Sequence, residues 1–380
     1  MSQTPASNPF RPGSGVFPPV LAGREFHTSV FEARAARALQ GHPQHTALLG
    51  EWAMGKTTLL VAWRRARQAA GDAVVLSMAY PQTPDSFLAG LATAVESEAA
   101  RDENGRVDVE LGLDLVVASA RIRRSGARPE HDLATGLRRL AHRQRQGHHG
   151  TLVFIDDVSM LAGAGDVLLR LRALALELYA TDLPVTFVVA GVPSLFAEVR
   201  AAHEPLVRFF EPLTVGPLDP AAAREAVVEP LAAAGVEFDL DVVRDIVELS
   251  GGRPYYLQRL AYHAFDSVES GHLSVRAFGV AFDRAFAAIS QEIFAARWAG
   301  MSVVDQRVLA FLARSDEPRS SGEVEWELGP HSIRPGTTRQ ALRRLTARGQ
   351  ITRIVEAGRG RYLIGDRLFQ RFIELRLAER

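Results

Sequence analysis

Gly50-Glu51-Trp52-Ala53-Met54-Gly55-Lys56-Thr57 is a complete G-x-x-x-x-G-K-[ST] loop. It follows the short apolar run Thr46-Ala47-Leu48-Leu49, and the residues after it, Thr57-Thr58-Leu59-Leu60-Val61-Ala62-Trp63, continue at helical spacing. Strand, glycine loop, helix is the order in which backbone N–H groups turn inward around phosphate oxygens, helped by the positive end of the helix dipole. The chain has 44 Lys and Arg residues, and Lys56 is its only lysine. An ammonium on a flexible stem follows β- and γ-phosphates where a planar guanidinium is too wide. Gly50 to Thr58 are therefore the nucleotide-binding candidates, for ATP or ADP, and the Thr57 hydroxyl is placed to reach Mg²⁺.

Outward from the loop, strands and helices alternate. Ala73–Met78 reads as a second strand, followed by a helix near residues 83–98; residues 132–143 read as another helix. Thr151-Leu152-Val153-Phe154-Ile155-Asp156-Asp157 is an apolar run without alternation, as a strand buried on both faces requires. Val185–Gly191 is a second such run, and residues 210–215 a fifth strand. The alternation predicts an α/β fold with a right-handed parallel sheet. Asp156 and Asp157 close their strand at its C-terminal end, where open α/β sheets bind ligands. Asp156 is then a metal-site candidate, and Asp157 a candidate to orient an attacking water. The other reading of the pair is a cap on the next helix.

From Asp219 to about residue 295 the pattern is helical, broken by Gly251-Gly252-Arg253-Pro254. Three short helices follow, at residues 303–313, 322–328 and 337–348, and then two short strands and a closing helix. That is the order of a winged helix-turn-helix. The expected domains are a flexible leader rich in Pro, Ser and Gly (1–20), a P-loop ATPase core (21–217), a helical lid (218–295) and a winged-helix domain (296–380). The polar stretch 101–130 has no assignable pattern.

Composition narrows the rest. There is no cysteine, so disulfides, thiol catalysis and cysteine-ligated zinc are excluded. His148-His149 lies in a polar run and reads as solvated loop rather than a metal site. No run reaches the roughly 18 apolar residues of a membrane span, and residues 1–20 do not form a secretory signal, so the expected location is cytoplasmic. Formal net charge is zero, yet Arg334 to Arg361 holds eight arginines against Glu356 alone. Arg339, Arg343, Arg344 and Arg348 would lie on the third helix, and Arg359 and Arg361 on the wing. The duplex-DNA reading puts that helix in the major groove and the wing on phosphates. Arginine on an ordinary solvated helix, or a winged helix that packs as a module, are the other readings.

Taken in order, Gly23-Arg24-Glu25, the Lys56 loop, Phe154-Ile155-Asp156-Asp157, the Gly251-Gly252-Arg253-Pro254 element and the C-terminal helices resemble the AAA+-related ATPases. The likeness points to the origin-recognition-like and STAND-like branch and covers about residues 10–380. It implies an ASCE sheet with strand order 5-1-4-3-2 and a helical lid. It places Gly23 and Arg24 near the adenine, and Pro254 at the nucleotide through a Gly-x-Pro element. It puts Arg208 where an arginine finger acts on a neighbouring subunit, a surface arginine being the alternative. Two departures stand out: Ala190-Gly191 replaces a polar sensor, with Ser194 a weak substitute, and Asp157 is one methylene shorter than the usual glutamate. These imply slow turnover. Two functions follow. One is a DNA-associated ATP switch, with a homo-oligomer among its expected partners. The other is a STAND-like signalling or scaffold ATPase whose C-terminal domain binds protein.

Overall fold

The computed structural model describes residues 7–13, 15–71, 73–78, 84–99, 133–139, 150–160, 163–183, 185–202, 204–331, 333–356 and 359–378. The stretch 101–130 and His148-His149 lie outside the described residues. The chain divides into two units, Arg24–Gly216 and a second made of Met1–Gly23 with Pro217–Arg380.

The first unit is a five-stranded sheet of β1 (His45–Leu49), β2 (Ala73–Met78), β3 (Gly150–Ile155), β4 (Val185–Gly191) and β5 (Phe210–Thr214). Its order is β2-β3-β4-β1-β5, the 5-1-4-3-2 order implied by the resemblance, and every pairing is parallel. The apolar runs become central strands because both faces are covered: all residues of β1 and β4 are buried. On one face Phe31 stacks on Trp63 at 4.5 Å and 3°. Aromatic stacking of this kind adds about 1 kcal/mol to the area term. His45 is buried in β1 beside Phe209, with ring centroids 4.0 Å apart. Its Nδ1 accepts from the Phe187 N–H at 3.1 Å, and burial pushes its pKa down to about 4.

The second unit holds a helical region and a C-terminal region. The helical region carries one small strand pair that the sequence pattern does not announce, Glu237–Phe238 beside His272–Leu273. Asp219 caps the helix Pro220–Ala233 through the Ala221 and Ala222 N–H groups. Gly252 sits at φ +71°, and a Cβ there would meet the Leu218 carbonyl at 2.3 Å. Only glycine permits that approach, which lets the Leu218 N–H donate to the Gly252 carbonyl at 2.7 Å.

Residues expected to form a flexible leader belong in part to this unit. Phe10 is 2% exposed and meets Phe265 edge-on, and the Asn8 amide donates to the Tyr262 carbonyl and to Asp266. Composition rich in Pro and Gly hides an apolar anchor of this kind, because one buried aromatic ring outweighs the local preference for coil.

The C-terminal region contains the helices Val303–Leu312, Ser321–Leu328 and Pro335–Ala347 and the hairpin Thr352–Glu356/Arg359–Leu363. Arg319–Ser320 completes a three-stranded sheet on the hairpin. The helix Arg367–Ala378 follows, capped by Asp366 through the Phe369 N–H. Among the described residues no helix is long and apolar enough to cross a membrane.

Candidate functional site

The loop Gly50–Lys56 leaves central strand β1 between β4 and β5. It is pinned there by Gly50 N–H to the Gly191 carbonyl (3.1 Å) and Val215 N–H to the Leu49 carbonyl (2.7 Å). A Cβ on Gly50 would meet the Val215 carbonyl at 2.5 Å, so a side chain there would push the loop off the sheet. Within the loop Ala53 (φ +68°) and Gly55 (φ +82°) are left-handed on either side of Met54. Such alternation folds N–H groups into an anion-binding concavity. Lys56 Nζ donates to the Gly50 (2.8 Å) and Glu51 (3.0 Å) carbonyls, so the ammonium lies inside the loop. Burial lowers its pKa, opposed by Asp157, Asp156 and Glu51. Met54 is buried, Trp52 is 56% exposed, and Thr57 and Thr58 are half-buried in the first turn of the helix Lys56–Ala70.

Asp156 and Asp157 follow β3, one strand away from β1 across β4. The Thr57 side chain lies close enough to the Asp156 carboxylate to lower its pKa. Asp156 is 8% exposed, and its Oδ1 is buried without a hydrogen-bond partner. Burial raises its pKa against the pull of Thr57, the Asp157 backbone and Lys56. Asp157 stands at φ +47°, and burial and then Asp156 raise its pKa. A buried, unpaired carboxylate oxygen costs several kcal/mol unless something compensates its charge. A hard divalent cation fits this compensation, because the carboxylate and the Thr57 hydroxyl beside it are both oxygen donors.

A family model described as Novel STAND NTPase 1 matches residues 20–278, more than half of the chain. The chain belongs to this STAND NTPase family. Solved structures similar to it include a Walker-type ATPase of Pyrococcus abyssi (17% identity, 96% of this chain and 98% of that one, TM-score 0.65). The ORC1 protein of Aeropyrum pernix in complex with DNA matches at 20% identity over 95% and 94%, TM-score 0.52. Cdc6p of Pyrobaculum aerophilum matches at 13% over 96% and 97%, TM-score 0.53. At these identities the likeness shows the AAA+-type fold. No curated protein matches the chain.

The other candidates of this STAND NTPase fall in several places. Arg24 is 5% exposed, and its Nη2 donates to the Met54 (3.1 Å) and Gly216 (2.8 Å) carbonyls. Gly23 and Pro254 belong to the second unit; Pro254 is the first residue of the helix Pro254–Phe265. Arg253 beside it faces Asp366 at 3.7 Å, inside its own unit. Arg208 is 80% exposed and pairs with Glu204 one turn earlier at 2.9 Å. Ser159 was not singled out by its spacing. Its Oγ accepts from the Val192 N–H at 2.7 Å and joins the ends of β3 and β4 next to the Asp pair. No local pattern signals a partnership between residues 33 positions apart.

The C-terminal arginines need correction as a single basic surface. Arg344 donates twice to Asp305 (Nη2–Oδ1 2.6 Å, Nε–Oδ2 3.2 Å), and Asp305 is 2% exposed. Arg339 pairs with Glu325 at 2.7 Å, and Arg361 Nε donates to the Pro318 carbonyl at 2.9 Å. Arg343 and Arg348 are exposed, and no partner holds their side chains among the described residues. The Arg359 side chain lies outside the described residues. Helical spacing puts Arg343 and Arg344 together, but they lie 100° apart around the helix axis, and Arg344 faces a buried carboxylate.

Proposed function

We propose that this STAND NTPase binds and hydrolyses ATP with Mg²⁺ and acts as a nucleotide-controlled switch. The observation that carries the reading is the convergence of the Thr57 side chain and the Asp156 carboxylate, whose Oδ1 has no partner, beside the Lys56 loop. Thr57 and Asp156 would hold the Mg²⁺, which neutralises charge on the β- and γ-phosphates when bound. Gly50 to Thr58 bind the phosphates. Lys56 exchanges its two carbonyl partners for phosphate oxygens. Asp157, with a pKa raised by burial, is a stronger base than a free aspartate and orients the water. A single short carboxylate in that role agrees with slow turnover. Gly23 and Pro254 remain nucleotide-contact candidates, and Arg208, exposed and paired with Glu204, is the candidate to act on a neighbouring copy.

The test is nucleotide binding and turnover by the full chain. Lys56→Ala loses ATP binding, and Asp157→Ala binds ATP without hydrolysing it. Parent-rate hydrolysis by Asp157→Ala would remove the water-orienting role.

For the output, we infer an association with duplex DNA through a winged helix. It is supported by the helix–hairpin order of the C-terminal region and by exposed Arg343 and Arg348. A protein partner is the second reading, favoured by Trp326, which is 80% exposed on the helix Ser321–Leu328. Salt titration separates them. For the DNA reading, Arg343→Ala with Arg348→Ala reduces the slope of log K against log salt by roughly 2. An unchanged slope rejects it.

A further inference from the structure

Arg24 is a buried cation with an unusual set of partners. Its guanidinium reaches two backbone carbonyls, those of Met54 and Gly216, and forms no ion pair among the described residues. Arg344, by contrast, has a carboxylate. Burying a cation whose direct partners are carbonyls is costly, and the charge of neighbouring Glu25 offsets only part of that cost, so the arrangement needs a reason beyond packing.

The first reason lies in the peptide that Arg24 grips. In a trans peptide the C=O and the following N–H point in opposite directions. A guanidinium that draws the Met54 carbonyl to one side of the loop turns the Gly55 N–H to the other. Met54 stands between left-handed Ala53 and Gly55. Ala53 has a Cβ, and its φ of +68° persists only where neighbours over-determine it. Lys56 holds the start of the loop by the Gly50 and Glu51 carbonyls, and Arg24 holds its middle.

The second reason lies in the other carbonyl. Arg24 is the first residue of the nucleotide unit and Gly216 the last. The same Nη2 therefore ties the phosphate loop to both places where the chain enters and leaves that unit.

We propose that Arg24 is a positioning residue: it aims the Gly55 N–H into the phosphate cradle and couples that loop to the two ends of the nucleotide unit, without itself contacting the nucleotide. The inference deepens the nucleotide-binding reading and rests on it. It differs from the adenine-side place that the family likeness assigns to Arg24.

The experiment uses full-length protein and four chains: parent, Arg24→Met, Arg24→Lys and Lys56→Ala. ATP affinity is read by calorimetry, and amide hydrogen exchange of residues 50–58 and 185–191 is read without nucleotide. Arg24→Met should weaken ATP roughly 10-fold, the loss expected for charge-assisted hydrogen bonds. It should also speed exchange in 50–58 and leave 185–191 unchanged. Arg24→Lys should recover most of both, because an ammonium can donate to two carbonyls. Weakened ATP binding with unchanged exchange in 50–58 would mean that Arg24 touches the nucleotide directly, and would overturn the proposal. Unchanged affinity would overturn it too. If Arg24→Met speeds exchange everywhere, Arg24→Gln, which keeps one donor, is read in its place against the same outcomes. Failure of the parent chain to bind ATP any better than Lys56→Ala would sink the nucleotide reading instead, and the exchange data would still report on the clamp.

Discussion

Asp156 and Asp305 are both buried carboxylates, one in each unit, and they are held in opposite ways. Asp305 receives two N–H bonds from Arg344. Asp156 has the Thr57 side chain nearby and an Oδ1 with nothing to meet it. Asp366 resembles Asp305: the Tyr256 hydroxyl (3.0 Å), Arg297 (3.2 Å) and the Phe369 N–H (3.0 Å) surround it. Burial and Asp366 push the Tyr256 pKa far up, so the phenol stays protonated and keeps donating. A charge whose partners come from its own fold reports on stability. A charge left waiting for a partner reports on a ligand. The C-terminal arginines drew notice because they are many, but three of the six are already engaged inside their own region.

The contrast can be broken most forcefully at Arg344. Arg344→Ala strands Asp305 and should lower the unfolding free energy of its unit by about 3–5 kcal/mol. Urea denaturation reads this, and a loss below about 1 kcal/mol would mean that Asp305 finds another donor.

His45 extends the comparison to a base satisfied in its neutral form. Its folded pKa of about 4 lies below the ordinary 6.5, so the unfolded chain takes up protons first. Its contribution is therefore complete above pH 6.5 and is lost as pH falls toward 4. Stability should drop by about 2 kcal/mol between neutral pH and about pH 5. His45→Gln should flatten that dependence, and an equal slope in both chains would assign it to other groups.

Asp156→Asn should act in the reverse sense from Arg344→Ala. Removing an uncompensated charge should raise the nucleotide-free stability by about 1 kcal/mol. The same change should remove the extra stabilisation that Mg²⁺ adds to ATP. Thermal melts with ATP, with and without Mg²⁺, check both halves, and a lower apo melting temperature would mean that the carboxylate is already compensated.

The smallest effect belongs to Arg339. It lies on the same helix as Arg344 and pairs with Glu325 of the helix Ser321–Leu328, but Arg339 is 63% exposed. Arg339→Ala should cost under about 1 kcal/mol, because water solvates the arginine and screens the pair from that side. A larger loss would blur the distinction between exposed and buried pairs.

The sequence made some parts of the site legible and left others hidden. Lys56 and Thr57 could be read because a phosphate loop needs fixed residues at fixed short spacing. Asp156 and Asp157 stood out because an uninterrupted apolar run that closes in carboxylates suits a buried strand ending where open α/β sheets bind ligands. The central strands β3 and β4 were found for the same reason, since strands buried on both faces must be apolar throughout. The likeness placed Arg24 near the adenine, and the contact of its side chain with the Met54 and Gly216 carbonyls was not legible, because a motif records which residue is present and not which way its side chain turns. Ser159 and Asp305 carried no local signal. The anchoring role of Phe10 was masked by the Pro- and Gly-rich residues around it.

By itself, then, the sequence determined the phosphate loop, the carboxylates that close β3, the parallel α/β sheet and the helical regions after it. Each of these is written in local order, in spacing or in hydrophobic period. Only the tertiary structure decided which charges are free. Arg344 turned toward Asp305, Arg24 toward the Met54 and Gly216 carbonyls, and Asp156 was left with a bare oxygen. The physical reason is that satisfying a buried charge depends on groups far apart in the chain, and no local pattern encodes those partnerships.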